Sequence, residues 1–498
     1  MSYLGVDIGQ TGCKAVIFDE SGKQLGSSYR EYETLSPQQG WAELDSRQVI
    51  DSCFAIMREA QASCPHDPVL GMGISCQGEA FTPVSARGEY LANAMITFDR
   101  RATSLTSEWS RSFGIEKLYQ ITGHSAHPMF SLFKLLWLKQ NRPELFSSTW
   151  KFLCFEDLLH HALGVEPHIS WSLAGRTMMF NVLNHTWEEE LLEACGIKSS
   201  QLAIPVPSGT IVGSIRKDIA KALGFREEAK VITGGHDQPM GALGAGVVTQ
   251  GKAMYATGTS ECIEPVFNQP IMNDDLFQNN LCTYDYTIQG MYTTVAFSLT
   301  GGNILRWFRD EFGQEEVKEA KKLGVDAYEL LLEKIGRSPS SLLVLPYFTP
   351  TGTPYFDPDV YGAILGLHLG TKREDVLGGL LEGVAFEMRL NLEILNRSGI
   401  EVDELRAIGG GAKSSIWLQL KADVLNKPIT RVRITEAACL AGAMLAFSVL
   451  NEQPVTTVVK KWVKMGDVIE PITENVEVYR ERFKTYKKIY PSLKNIRW

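Results

Sequence analysis

Asp7 and Asp237 each close an apolar, strand-like run and stand beside glycine-rich turns, in GVDIGQTGCK and ITGGHDQPMGALGAG. A carboxylate where a buried strand stops and a small-residue helix starts sits in the favourable field of the helix dipole, which keeps it ionised. An ionised carboxylate can orient an alcohol and accept its proton. The same position suits an aspartate that only caps the helix, and taken by itself the residue favours that cap reading for Asp237.

The first loop, GVDIGQTGCKA, has the character of a phosphate loop: glycines that free backbone amides, the hydroxyl of Thr11 and the cation of Lys14. A plain hairpin turn with an idle surface lysine explains it equally well. Neither G-x-x-x-x-G-K-[ST] nor G-x-G-x-x-G occurs, so neither a Walker loop nor a dinucleotide fingerprint supports it. Three further turns, ATGTSE (Ala256–Glu261), LTGGN (Leu299–Asn303) and IGGGAKS (Ile408–Ser414), also follow strand-like runs and present glycine. Each is weak alone. Together they are what a nucleotide held between two domains would need.

The elements that must position these loops alternate. YLGVDIG, CKAVIFD and QLGSSYREY read as a β-meander, and VLGMGISC and AKVITGG as buried strands. SRQVIDSCFAIMREAQASC and FSLFKLLWLKQNRPELF carry helical spacing, the second stopped by NRP. From KAMYATGTSECIEPVF a similar order begins again, followed by the helix LEGVAFEMRLNLEILNRSG, the strand–loop–helix LRAIGGGAKSSIWLQLKADVL and the helix ITEAACLAGAMLAFSVL. This predicts two α/β domains with mixed sheets, 1–246 and 247–498, with the boundary near Gly246–Gly251. The shared strand–turn–strand opening of both halves suggests an internal duplication. The basic, aromatic tail YRERFKTYKKIYPSLKNIRW is expected to dock its aromatics as a helix rather than to bind nucleic acid.

Composition agrees. A chain of 498 residues exceeds one ordinary core, which predicts two domains of roughly 200–250 residues each. Net charge is 49 − 58 = −9, against a nucleic-acid or anionic-membrane partner but not against a local phosphate ligand. Nine cysteines, an odd number without C-x-x-C, point to reduced, cytoplasmic usage. Asp7 interrupts the start of the chain, which argues against a secretory signal, and ACLAGAMLAF is too short to span a bilayer.

The order of motifs resembles the FGGY family of carbohydrate kinases, within the actin-like ATPase superfamily, over essentially the whole chain. The stretches that carry it are GVDIGQTGCKAVIFD, GISCQGEAF, ITFDRRAT, TGHSAHPMFSLFKLLWL, AGRTMMFN, GGHDQPMGALGAG, GTSECI, GGNILRWFRD, YGAILGLHLGTKREDVLGGLLEG and GGGAKSSIWLQLKADVLNKPI. Gly379 stands where the family's second signature prefers Ala or Ser, a small departure. The resemblance implies two RNase H-like domains around a deep cleft, with ATP and Mg2+ as cofactors and a small sugar or polyol as acceptor. It also implies a frequent homodimer.

Residue by residue, it makes Asp237 the base that faces the sugar hydroxyl and Gln238 a sugar contact. Asp7 acts near magnesium, usually through water. Gly9, Gln10, Thr11 and Lys14 form the phosphate-side loop, and Gly258 and Thr259 the opposing one. Gly302 lines the nucleotide cleft; Gly411, Ala412 and Ser415 line the adenosine pocket. Gln77, Glu79 and Asp99 are sugar-side residues, and His236 has no role in this reading. GISCQGEAF departs from the Gln-Arg-Glu of glycerol kinases and the Gln-Met-His of xylulokinases: Gly78 replaces the large residue and Glu79 keeps the carboxylate. Thr97 and Met129 replace a tryptophan and a tyrosine of glycerol kinases. The pattern is nearest to xylulokinase-type members and implies a roomier site than glycerol needs. Two rival classes keep the same loops: an actin-like ATPase without sugar kinase activity, and a silent sugar sensor.

Overall fold

The structure, a computed structural model, describes residues 1–336, 338–434 and 436–496. The first of its two large sheets is built from β1 (Ser2–Ile8), β2 (Gly12–Asp19), β3 (Gln24–Glu31), β4 (Val69–Cys76), β5 (Ile211–Ser214) and β6 (Lys230–His236). Its spatial order is β5-β6-β4-β1-β2-β3. The meander β1–β2–β3 is antiparallel, β4 and β6 extend it in parallel, and β5 closes the edge antiparallel. Leu4, Val6 and Ile8 on β1 and Met72, Ile74 and Cys76 on β4 are all fully buried, because helices cover both faces.

The second sheet repeats the plan. It contains β7 (Gly251–Thr257), β8 (Glu261–Phe267), β9 (Tyr284–Asp285), β10 (Tyr292–Thr293), β11 (Ala296–Ser298), β12 (Val402–Ile408), β13 (Ile429–Val432) and β14 (Met465–Ile469). From β8 outward the order is β8-β7-β12-β13-β14, and β9, β10 and β11 extend the β8 edge. β7–β8 is antiparallel, β7–β12 and β12–β13 are parallel, and β13–β14 is antiparallel. The same succession of pairings around β1 and around β7 bears out the expected two RNase H-like units.

The helices that matter to the site are α1 (Ser46–Ala62), α2 (Ser131–Asn141), α3 (Asp237–Gly244), α4 (Gly302–Phe312), α5 (Arg373–Arg397), α6 (Ser415–Leu425), α7 (Ala437–Leu450) and α8 (Thr473–Leu493). α2 stops at Arg142, whose ψ of 56° leaves the helix as a residue before Pro143 must. α7 comes late in the sequence yet lies on the first sheet. A Cβ on Gly5 would meet the Cys439 carbonyl oxygen at 1.7 Å, and one on Gly73 the Gly442 carbonyl oxygen at 2.4 Å. Small residues therefore let α7 press backbone to backbone on β1 and β4, which binds the two lobes together.

α8 docks as expected, with Tyr479, Phe483 and Tyr486 against Phe386 of α5. Thr435, in the stretch ITEAACLAGAMLAFSVL, and the last two residues of the tail lie outside the described residues. Among the described residues no helix is long and apolar enough to cross a membrane.

Candidate active site

β6 ends at His236 and α3 begins at Asp237, the strand-to-helix corner that the sequence led us to expect. Capping is not what Asp237 does. The cap position is His236, no side-chain cap bond is made, and the Asp237 carboxylate accepts from Gln238 Nε2 at 3.2 Å. Glu156 sets the corner from behind: its carboxylate is fully buried and accepts from the backbone N–H of Gly234 at 2.8 Å and of Ser170 at 2.9 Å.

Asp237 lines a cavity of about 220 Å³ between the lobes. Gln10, Gln77, Glu79 and Arg176 line it from the first lobe, and Ser260, Asn280 and Phe297 from the second. Burial, followed by the charges of Asp7 and Glu79, pushes the Asp237 carboxyl up to about 7. Glu79 is the other carboxylate on the wall. Arg176 Nε donates to its Oε1 at 2.6 Å and Thr97 Oγ1 to its Oε2 at 2.7 Å. The backbone at Glu79 is left-handed (φ 65°), held there by Ser131 Oγ and Lys134 Nζ, which both donate to its carbonyl. Strain of this kind collects at binding sites. Burial opposes the Arg176 charge, yet the Glu79 carboxylate raises its pKa overall.

The cavity histidines are neutral. Burial, then the Arg176 charge, lowers His124 to about 3, and burial with Arg176 and His124 holds His236 well below its usual range. Gln77 donates from Nε2 to the Gly9 carbonyl at 3.1 Å, and its buried Oε1 has no protein partner.

A second cavity, of about 390 Å³, opens in the second lobe. Three of the glycine turns build it: Gly258 and Thr259, Gly302, and Gly410 and Gly411. They meet through backbone. Gly302 N–H donates to the Gly258 carbonyl at 2.8 Å, and a Cβ on Gly302 would stand 2.5 Å from that oxygen. The fourth turn reaches the same region from the first lobe, since Gln10 and Ser260 share the substrate-side cavity. Three turns thus share the second-lobe cavity, and the first-lobe turn faces one of them across the substrate-side cavity.

Several expected residues serve otherwise. Asp99, expected near the sugar, is 1% exposed, takes a bidentate grip from Arg101 and accepts the Ala42 N–H at 2.8 Å. Arg101 is itself held between the rings of Trp41 and Trp137. Ser415 Oγ accepts from Arg431 at 2.7 Å and Ala412 packs into the core, so Lys413 and Ser414 line the nucleotide-side cavity in their place. Gln10 faces the substrate-side cavity rather than the nucleotide side, and Thr11 is exposed. Gly9 donates its N–H to the Gly12 carbonyl at 2.9 Å, closing the first turn. Lys14 is paired with Glu436 at 2.6 Å, at the start of α7.

Burial pushes the Asp7 carboxyl up to about 6, against the hydrogen bond it accepts from Ser75 Oγ at 2.7 Å. Arg176 lies in AGRTMMFN, where the signal in the sequence is a lone arginine directly after the short apolar helix Trp171–Gly175. Tyr328 and Trp417, on the nucleotide-side wall, carried none.

Two lobes of one sheet plan, with turns of both facing a shared cleft and a carboxylate on the wall of a small-molecule cavity, are the architecture of the actin-like ATPase fold. The chain belongs to the FGGY family of carbohydrate kinases: the models of its N-terminal and C-terminal domains match residues 2–244 and 253–450. A xylulose kinase of Bacillus subtilis (strain 168) is 26% identical, with 100% of this chain and 98% of the relative covered. A gluconokinase of Bacillus licheniformis is 25% identical, covering 99% and 96%. The crystal structure of gluconate kinase from Lactobacillus acidophilus matches with a TM-score of 0.90 at 23% identity, over 99% of this chain and 98% of that one. The protein is thus a phosphotransferase that transfers a phosphoryl group from ATP to a sugar or polyol hydroxyl; sugar kinases of this family use ATP with Mg2+ as its usual partner.

Proposed function

We propose that Asp237 is the general base, that ATP lies on the second-lobe turns, and that the acceptor is a neutral ketose or polyol. The observation that carries the reading is the position of Asp237, on the wall of a cavity whose far side is the Ser260 turn leading to the nucleotide-side cavity. Asp237 orients the acceptor hydroxyl and takes its proton as the oxygen–phosphorus bond forms and the bond to the leaving diphosphate oxygen breaks with its electron pair. Positioning and charge stabilisation dominate this chemistry, so a modest base suffices.

Neutral acceptors follow from charge. Glu79 and Asp237 are the cavity's carboxylates, and Arg176, its cation among the described lining residues, is already engaged by Glu79. An aldonate would bring a third negative charge to that wall. A neutral polyol instead offers hydroxyls to Glu79, to Gln77 Oε1 and to Gln238.

Asp7 fits a metal that arrives with nucleotide phosphates. Among the described residues no group of three or more His, Cys, Asp or Glu could hold an ion alone, and magnesium needs only one carboxylate beside phosphate oxygens and retained waters. When bound, such an ion neutralises charge on the transferring phosphoryl group. The nine free cysteines suit a reducing, cytoplasmic setting.

The test is ADP release over a panel of ketoses, alditols and aldonates; turnover of neutral acceptors with aldonates silent is the expected result, and preference for an aldonate overturns the charge argument. Two further outcomes are expected. kcat/KM for the acceptor rises with pH through the region near 7, because the base must lose the proton that burial and its neighbours help it keep. A flat profile between pH 5.5 and 8 would contradict it. Gly302→Ala drives a methyl into the Gly258 carbonyl and parts the two turns. ADP affinity, measured by calorimetry, is expected to fall about tenfold (a loss of about 1.4 kcal/mol) with the acceptor KM unchanged.

A further inference from the structure

His236 fills a position for which the reaction scheme so far has no use. It is the last residue of β6, it is buried (5% exposed), and its backbone N–H donates to Ser172 Oγ at 3.2 Å. One ring nitrogen, Nδ1, lies 3.0 Å from the Tyr284 hydroxyl; the other, Nε2, lies 3.2 Å from Asp237 Oδ1. Tyr284 belongs to β9 of the second sheet, but its strand is bolted to the first lobe. Thr283 N–H donates to the Gly123 carbonyl at 2.8 Å and Tyr119 Oη to the Leu281 carbonyl at 3.0 Å.

A neutral imidazole carries one N–H and one lone pair. With the proton on Nδ1, the Nε2 lone pair would face the Asp237 carboxylate, which is repulsive. With the proton on Nε2, Tyr284 donates to Nδ1 and the protonated Nε2 lies 3.2 Å from Asp237 Oδ1, near enough to attract the carboxylate although not aligned on it as a hydrogen bond in this structure. The groups around the ring are Asp237, Arg176, His124 and Tyr284; burial holds Tyr284 protonated and His236 neutral.

Room for the ring depends on Gly78. A Cβ there would stand 3.0 Å from His236 Cδ2 and 3.1 Å from Nε2. A side chain at 78 would therefore press on the His236 ring, which would have to give by a few tenths of an ångström.

We infer that His236 is a positioning residue: its Nε2–H holds the Asp237 carboxylate toward the cavity, the Tyr284 hydroxyl sets the tautomer, and Gly78 makes the space. The inference rests on the reading of Asp237 as base. Carboxylate–imidazole contacts fix the orientation of catalytic and ligating groups elsewhere, there with the carboxylate as the orienting partner, and catalytic contacts that are long without substrate tighten when it is in place.

The test is steady-state kinetics with the member of the ketose and alditol panel that the wild type phosphorylates fastest. His236→Leu is expected to lower kcat about 10- to 100-fold, the worth of one hydrogen bond to a charged group, with the acceptor KM within about twofold. His236→Gln, whose side-chain amide keeps a donor where Nε2 was, recovers most of the loss. Tyr284→Phe, which removes only the hydroxyl, lowers kcat about tenfold and carries the test if the leucine variant does not fold. A purely structural histidine would move KM, Tm and kcat together and leave the glutamine variant no better than the leucine one; that result, or full activity in Tyr284→Phe, overturns the inference. Asp237→Asn separates the two levels. If it is dead while His236→Leu is fully active, only the positioning role falls; if Asp237→Asn itself turns over normally, the base assignment falls with it.

Discussion

Asp237→Asn is expected to lower kcat by about a thousandfold, within the range general-base catalysis contributes, and to raise rather than lower the melting temperature. The two effects have one cause. Asn keeps the shape and the contact with Gln238 but cannot accept the hydroxyl proton. The carboxyl is pushed up to about 7 by burial and by Asp7 and Glu79, so the folded state binds its proton more tightly than the unfolded chain does. The group therefore contributes no difference below the unfolded value near 4, and stability falls as pH rises through the window up to about 7. At neutral pH and above the fold carries that cost for the sake of function, and the amide removes it. Initial rates with the best acceptor, ADP titration and a melting curve on one preparation test the claim. ADP binding should be retained; loss of kcat together with a fall in melting temperature would mean that Asp237 is a structural residue.

Arg176→Met is expected to be the most damaging single change in the substrate-side cavity. Glu79 is 2% exposed and Arg176 8%, and the guanidinium also lies 5.0 Å from the centre of the Phe130 ring and 5.6 Å from that of Tyr284. Removing one partner of a buried pair leaves the other charge uncompensated, which costs about 3–5 kcal/mol. Denaturant unfolding should register that loss, and the acceptor KM should rise steeply as Glu79 turns away from its present place on the wall. The double variant Glu79→Gln with Arg176→Met should unfold at higher denaturant than Arg176→Met alone, because no orphan charge remains. Equal stability of the single and double variants would refute the pair as the organising contact of the wall.

Gly78 illustrates how the chain could be read at one level and not at another. Its departure from larger residues was visible in GISCQGEAF, and it suggested a roomier cavity. A Cβ at 78 would meet the His236 ring and the Arg176 stem, whose Cγ would lie 3.2 Å away. No one-dimensional pattern links residues 78, 176 and 236, because three separate elements meet there.

Asp99 shows the converse. ITFDRRAT matched its family's motif, and the carboxylate was expected at the sugar, yet Arg101, two residues on, folds back to saturate it. Ser415 gave way to Ser414 for a related reason. At the start of α6 consecutive side chains point in different directions, and sequence alignment does not resolve which one faces the cavity.

Local chemistry written in the residues was enough to determine the alternation of strands and helices, the repeat of one sheet plan, the glycine turns and the carboxylate at the β6–α3 corner. Each is a matter of spacing, turn chemistry or apolar period within a few residues. What only the tertiary structure decided is long-range: that α7 lies on the first sheet, that Tyr284 of the second sheet reaches His236 of the first, and which polar groups face the cavity. Such facts depend on which backbones approach closely and which buried charges find partners, and those are properties of the packed chain as a whole rather than of any stretch of it.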